Sequence, residues 1–376
     1  MIWTQHLLGI GHLKRAAVLA RATSAAGADV ILVSGGFPVS GLDIGGSKLV
    51  QLPPLRAMDS SFSGLATQDG KPPDPAFLHA RMNHLLSVFA QLQPDVLVTE
   101  MYPFGRRQLA FELEPLLEAA RARDHCAVIC SVRDILTAKK KRARYDEMAD
   151  AVLAYYDAVL VHGDPTLIPF ETTFPAMARI AHLIRYTGYV RERNIDAPHT
   201  GDAPDYEVVV SAGGGAVGDV LLAAALKARP ESTLASSRWL LLAGETRSDD
   251  EIAQLRSQAP NGVDIERSRA DFQHVLKHAR VSISQAGYNT AMDIMNTRVR
   301  AVLVPFVGDG ETEQTTRATR MSQRGLAQVV AEQELSGASL AKAIDRALLA
   351  PAPPDNMINC DGADASAALI MSHTST

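Results

Sequence analysis

The sequence predicts an α/β protein of two doubly wound, Rossmann-like lobes, and three observations carry that prediction. Apolar β-like runs alternate with helical patterns along almost the whole chain, as in parallel sheets covered by helices. The alternation breaks once, at residues 190–204 (VRERNIDAPHTGDAP), a polar stretch with proline and glycine that has the composition of an interdomain linker. On either side of the break the chain opens in the same way, with a strand, a glycine turn and a helix. At 376 residues the chain also exceeds what most single cores can organise. The expected domains are residues 1–195 and 196–376. Ligands of such sheets bind beyond the carboxyl ends of the strands, so facing lobes make the cleft between them the expected site.

In order, the first lobe reads as a strand (IWTQHLL), a helix (HLKRAAVLARATSAAG) and a strand (DVILVSGG). Residues 51–75 lack periodicity and read as a long loop. A helix (DPAFLHARMNHLLSVFAQL) then leads into the strand DVLVTE, and FELEPLLEAARAR is a helix before the buried strand CAVICSV. A basic helix-like segment and the strand DAVLVHGD complete the lobe. Beyond the linker the strands are YEVVVS, RWLLLAG, VDIE, RVSISQ, RAVLVPF and LAQVV, with helical patterns between them and a last helix near 338–349.

Composition narrows the function. With 47% hydrophobic and 21% charged residues the chain is neither disordered nor fibrous. A formal net charge of −5 gives no global attraction to nucleic acid, so no nucleic-acid partner is expected. Cys126, Cys130 and Cys360 have neither CxxC nor Cys/His metal spacing and suit a reducing compartment. No run approaches the roughly 18 apolar residues of a membrane helix, and the N-terminus lacks a signal-peptide pattern. A cytoplasmic location is expected.

Four turns carry the chemistry. GIGHLKRA (9–16) nearly matches GxGxxG, but Lys14 occupies the third glycine position and the next strand ends in VSGG without an acidic residue, which disfavours a dinucleotide. Gly9 and Gly11 either shape a site or merely permit a tight turn. His12 falls in the first helical turn, where amide dipoles favour a neutral imidazole and hence a base. SAGGGAVGD (211–219) places Gly213, Gly214 and Gly215 between a strand and a helix, where backbone amides can approach phosphate; the missing GK[ST] excludes a P-loop.

SQAGYNTAMDI (284–294) again runs from strand to helix. Asn289 and Thr290 could cap that helix, but Asp293, one turn on, is placed to accept hydrogen bonds from a ribose diol. VPFVGDGETEQ (304–314) supplies Glu311, Glu313 and Gln314 at a helix start, where acids favour the helix dipole and where carboxylates and amides also suit sugar hydroxyls.

At these motifs the sequence resembles the MurG-like glycosyltransferases of family 28, which have the GT-B fold, and within them a predicted bacterial subgroup. The resemblance spans essentially the whole chain and is most specific in SQAGYNTAMDI and VPFVGDGETEQTTRA. It implies an acceptor-binding first lobe and a nucleotide-sugar-binding second lobe. Gly213, Gly214, Gly215, Gln285, Gly287, Asn289 and Thr290 would line the diphosphate, Asp293 the ribose, Glu311, Glu313 and Gln314 the sugar, and Arg269 the base. The family pattern has glutamate at Asp293 and glutamine at Glu313.

The reaction implied is an inverting, metal-independent transfer from a nucleoside-diphosphate sugar, as a substrate rather than a cofactor, to an acceptor hydroxyl. His12 is the first candidate for the base; Glu100 and Asp134 are weaker ones that also read as salt-bridged strand ends. Gly9, Gly11, Arg106 and Arg107 would face the acceptor. The cations of YPFGRRQ and KKKRAR read as a solvated face, or as attraction to an anionic or lipid-linked acceptor with peripheral contact at the inner face of the membrane. A nucleotide-sugar hydrolase or epimerase, and a noncatalytic nucleotide-sugar sensor, are the competing functions.

Overall fold

The computed structural model describes residues 1–59, 64–139, 141–191, 205–212, 218–244, 247–307, 312–354 and 357–374. The chain forms two compact units, Met1–Arg191 with Asn359–Thr376, and Glu192–Ile358.

In the first unit β1 (Ile2–Thr4) is buried throughout, as a strand covered on both faces must be. The helix α1 (Gly11–Ala25) follows, its buried Ala16, Ala17 and Ala20 allowing close approach to the sheet. Then come β2 (Ile31–Ser34), β3 (Lys48–Gln51) and a short antiparallel hairpin of β4 (Arg56–Ala57) and β5 (Leu65–Ala66). The hairpin corrects the expectation of a structureless loop over 51–75: two-residue strands are too short to show alternation. Ala57 N–H donates to Leu7 O at 2.9 Å, which pins the hairpin to the segment after β1.

Next, α2 (Pro75–Leu92) is opened by proline at its first position and by Asp74, whose carboxylate accepts from Phe77 N–H. It leads to β6 (Val96–Glu100), α3 (Ala110–Arg121), β7 (Ala127–Arg133), α4 (Ala143–Tyr155), β8 (Ala158–His162) and β9 (Ile184–Tyr186). The seven strands are parallel in the order β3-β2-β1-β6-β7-β8-β9. From β1 the chain builds outward through β2 and β3, then returns to β6 on the other side of β1, so the topological switch lies between β1 and β6.

One buried cation braces that end of the sheet. Arg81 of α2 pairs bidentately with Glu112 of α3 (2.6 and 2.9 Å), both fully buried, and also donates to Gly35 O (2.9 Å), Pro53 O and Gln5 Oε1 (2.9 Å). Gln5 in turn donates to His6 O and Leu55 O. The segments leaving β1 and β2 are thereby held by a single guanidinium.

The second unit repeats the plan. Its elements are β10 (Val208–Ser211), α5 (Asp219–Ala228), β11 (Trp239–Leu242), α6 (Asp249–Ser257), β12 (Val263–Glu266), α7 (Phe272–His278), β13 (Val281–Ser284), α8 (Tyr288–Thr297), β14 (Arg300–Leu303), α9 (Glu313–Gln323), β15 (Gln328–Val329) and α10 (Gly337–Leu349). The parallel sheet runs β12-β11-β10-β13-β14-β15, with its switch between β10 and β13. Capping boxes at Ser248 and Ser336 open α6 and α10.

The last helix, α11 (Gly362–Met371), does not stay with this unit. It packs on α1, and Asn359 O accepts from Tyr189 N–H at 2.8 Å while Gly362 N–H donates to Tyr189 O at 3.1 Å. A Cβ on Gly362 would collide with Gly188 O, so the contact is built for glycine. The expected second domain of 196–376 therefore loses its final segment to the first unit. The last helix expected from the sequence lay near 338–349, so neither α11 nor its packing partner was read.

Candidate active site

In the first unit the switch point gathers charged side chains. Glu100 is the last residue of β6 and is fully buried. His12, second residue of α1, brings Nδ1 to 2.6 Å from Glu100 Oε1, and Arg15, one helical turn on, donates to the same oxygen. Burial lowers the imidazole pKa to about 4 against the pull of Glu100, and Arg106 and Arg15 push the same way. Burial would raise the Glu100 carboxyl, but the His12 and Arg15 partners outweigh it and hold it well below the usual carboxylate range. Glu100 is thus anionic and His12 neutral at pH 7, with the His12 proton on Nδ1, donated to Glu100, and the lone pair on Nε2. Next along the sheet, His162 Nε2 lies 2.7 Å from Ser131 Oγ and His162 Nδ1 lies 2.9 Å from Thr187 Oγ1.

In the second unit the switch point is built from backbone. The turn 285–287 leaves β13 and becomes the N-terminus of α8, where N–H groups without helical partners and the helix dipole favour an anion. Two residues of α9 hold that turn from behind. Gln314 Oε1 accepts from Ala286 N–H (3.0 Å) and Phe306 N–H (3.2 Å), and the fully buried Arg317 donates to Ala286 O (3.1 Å) and Glu313 Oε1 (2.9 Å). On α8, Asp293 Oδ1 accepts from Gln273 Nε2 at 2.7 Å, which orients its carboxylate.

Two glycines mark these turns. Gly9 and Gly287 lack positive φ, and a Cβ on either would meet no described atom within 4 Å. Among the described residues neither backbone conformation nor packing requires them, so what their missing side chains leave there is open approach to the turn.

Residues 208–372 match the family model described as glycosyltransferase family 28 C-terminal domain. Over 72 residues the chain is 36% identical to the UDP-N-acetylglucosamine--N-acetylmuramyl-(pentapeptide) pyrophosphoryl-undecaprenol N-acetylglucosamine transferase of Thermotoga neapolitana; the match takes in 19% of this chain and only 21% of that relative. Among solved structures, the calicheamicin glycosyltransferase CalG4 superposes with a TM-score of 0.62 (16% identity, 99% of this chain and 94% of that one). The MurG of Acinetobacter baumannii gives 0.59 (14% identity, 99% and 98%), and glycosyltransferase VinC in complex with dTDP gives 0.62 (14% identity, 99% and 94%). The fold is GT-B, and residues 208–372 are similar to the C-terminal domain of glycosyltransferase family 28.

Within this GT-B framework the expected residues separate. His12 and Glu100, read from the sequence as rival candidates, form one pair. Asp134 does not join them through its carboxylate: Oδ2 accepts from Tyr189 OH (2.7 Å) and Oδ1 from Ile135 N–H (3.0 Å), the work of a fully buried strand end. Arg106 sits in a left-handed turn (φ 62°) and acts electrostatically on Glu100, His12 and Arg15, whereas Arg107 is exposed. Gly11 opens α1.

In the second unit Gln285, Gly287, Asn289, Thr290 and Asp293 cluster on the turn and first turns of α8, with Asn289 exposed and the others half-buried. Glu313 Oε1 accepts from Arg317, and Gln314 spends its carbonyl on the turn, leaving its amide nitrogen as the group that can reach a hydroxyl. Arg269 follows the outermost strand, β12, and its guanidinium is taken by Asp271 (2.8 Å twice) and Glu266 (3.1 Å). Gly213, Gly214, Gly215 and Glu311 lie outside the described residues. Among the described residues, no group of three or more His, Cys, Asp or Glu side chains could hold a metal ion, and no helix is long and apolar enough to cross a membrane.

Sequence reasoning missed Arg15, Gln273 and Arg317. Arg15 alone had a usable signal, the i,i+3 spacing from His12 inside GIGHLKRA; the other two depend on which helices pack together.

Proposed function

We propose that the protein is an inverting, metal-independent glycosyltransferase of the MurG-like branch, moving a hexosyl group from a uridine-diphosphate sugar to an acceptor hydroxyl. The observation that carries this reading is the His12–Glu100 pair at the first switch point, in a chain whose second unit matches a glycosyltransferase domain. The uridine donor is supported by the name of the Thermotoga relative, and a nucleoside-diphosphate donor more broadly by the dTDP bound to VinC.

Glu100 holds the Nδ1 proton, so His12 Nε2 takes the proton of the acceptor hydroxyl as that oxygen attacks the anomeric carbon. The bond to the diphosphate breaks as the new one forms, and a single displacement inverts the carbon. The leaving diphosphate takes the electron pair, and its growing charge is met by the amides at the N-terminus of α8, which Gln314 and Arg317 fix in place beforehand by holding the turn that precedes it. Asp293, oriented by Gln273, accepts from the ribose hydroxyls. Gly213, Gly214 and Gly215 are assigned to the same diphosphate, Thr290 and Asn289 to its oxygens, and Arg106 to the acceptor.

The test is a thermal-shift panel of UDP, dTDP and their sugars, followed by product analysis. At 100 times the dissociation constant a true donor adds roughly 2.7 kcal/mol of stability. No stabilisation by any of them overturns the donor site, and release of free sugar as fast as transfer makes the enzyme a hydrolase instead.

The acceptor is assigned an anionic or lipid-linked character, with the protein on the cytoplasmic face of the membrane, on the strength of Arg106 and the cations that precede α4, among them Lys139, Lys141 and Arg142. Sedimentation with anionic vesicles that survives charge reversal at these three positions overturns that assignment.

A further inference from the structure

Two side chains share one carboxylate oxygen at the first switch point. Glu100 Oε1 lies 2.6 Å from His12 Nδ1 and in contact with Arg15 Nη2, and the two nitrogens are themselves 3.1 Å apart. The Arg15 and Glu100 side chains are 6% and 1% exposed, and among the described residues Glu100 Oε2 has no hydrogen-bond partner. A guanidinium can only donate, so it gives His12 Nδ1 nothing to donate to but Glu100, and Oε1 must accept from both.

A carboxylate this deeply buried needs a cation beside it. Imidazole can serve, but a histidine that has become an imidazolium has no lone pair with which to act as a base. We propose that Arg15 is a positioning residue: it supplies the permanent positive charge that Glu100 requires, so that His12 stays neutral with its proton on Nδ1 and its lone pair on Nε2. In effect Arg15 stands in for the second proton of His12. As a base, His12 rests on the transferase reading above; its charge state and tautomer do not.

Among the described residues, other charged or titratable groups that bear on the pair are Arg106, from the turn beyond β6, the buried Cys130 thiol of β7, which burial and then Glu100 keep protonated, and His162 at the end of β8, which is buried, held neutral and subject to both Arg15 and Glu100. Arg106 remains when Arg15 is removed and opposes protonation of His12, so the loss of Arg15 raises His12 only part of the way towards a full ion pair. A single neighbouring charge at this range is worth roughly 1–3 pH units in a midpoint.

The experiment is an NMR titration of protein labelled with 15N in its histidine rings, with the His12 signals assigned by their loss in His12→Gln. In the wild type His12 should show the Nδ1–H tautomer at pH 7 and protonate only below about pH 5. Arg15→Gln should raise that midpoint by at least about one unit, and Arg15→Lys, which restores the charge, should bring it most of the way back. If Arg15→Gln does not fold, Glu100→Gln provides the opposite arm: with the anion gone and Arg15 still present, the His12 midpoint should fall further. An unchanged midpoint in the Arg15 or Glu100 variant, or an Nε2–H tautomer in the wild type, overturns the proposal. A protein with no transferase activity but these midpoints would sink the function and leave the role of Arg15 intact.

Discussion

The two switch points of this chain occupy equivalent places in equivalent sheets, yet they are built from different parts. In the first unit, side chains form the site: His12, Arg15, Glu100 and Arg106 are charged or titratable groups arranged around one strand end. In the second, side chains of α9 brace the backbone of the turn, with Arg317 and Glu313 buried against each other and Gln314 bridging two amides. On the proposed function the difference follows from the tasks. A proton must be moved by a group whose charge can change, whereas a diphosphate is best held by dipoles that cannot.

Removing the proton carrier should have the largest effect. His12→Ala is expected to lower kcat about 10²–10⁴-fold with donor affinity unchanged in calorimetry, and a loss of under threefold would remove His12 as the base. Breaking the buried support of the other site comes next. Arg317→Met removes the guanidinium that donates to Glu313 and to the Ala286 carbonyl, so unfolding stability should fall by about 3 kcal/mol and donor affinity with it. Normal donor affinity in a folded Arg317→Met protein would mean that the turn needs no clamp. Asp293→Asn should weaken the donor roughly tenfold while the melting temperature holds, and unchanged affinity would take Asp293 out of the site.

Acid should separate the units by stability. His12 and His162 both titrate in the folded chain below the ordinary histidine value, near 4 and 3, because burial disfavours their charged forms. The unfolded chain therefore binds these protons first, so the stability they contribute is whole above about pH 6.5 and drains away as pH falls towards 4. Glu100, depressed as a carboxylate, adds a further loss below about pH 4.5. Urea unfolding followed between pH 8 and 5 should show the decline in probes of the first unit, and a flat profile there would contradict the buried neutral histidines.

The smallest effect is also the sharpest. Gly9→Ala and Gly287→Ala meet no described atom and no positive φ, so each should leave stability unchanged or raise it by up to about 1 kcal/mol. If the comparison holds, Gly287→Ala weakens donor binding and Gly9→Ala weakens acceptor use. The reverse pairing would exchange the roles of the two turns.

Much of this was legible along the chain because parallel α/β structure writes itself locally. Each strand is a short apolar run that ends in a polar or glycine turn, so the strand ends at Glu100, Ser211 and Ser284 and the helix starts at His12 and Tyr288 could be read without knowing the fold. The hairpin of β4 and β5 was not legible, since two residues carry no period, nor was the return of α11 to α1.

The amino-acid sequence by itself thus determined the alternation, the two lobes and the turns at the strand ends, because those depend on residues near one another in the chain. Only the tertiary structure decided which partners the residues at those turns meet. His12 and Glu100 are 88 positions apart and Gln314 and Ala286 are 28 apart, and each pair meets because parallel strands bring distant carboxyl ends to one edge of a sheet. Once there, the same residue types acquire charges and partners that no local spacing can assign.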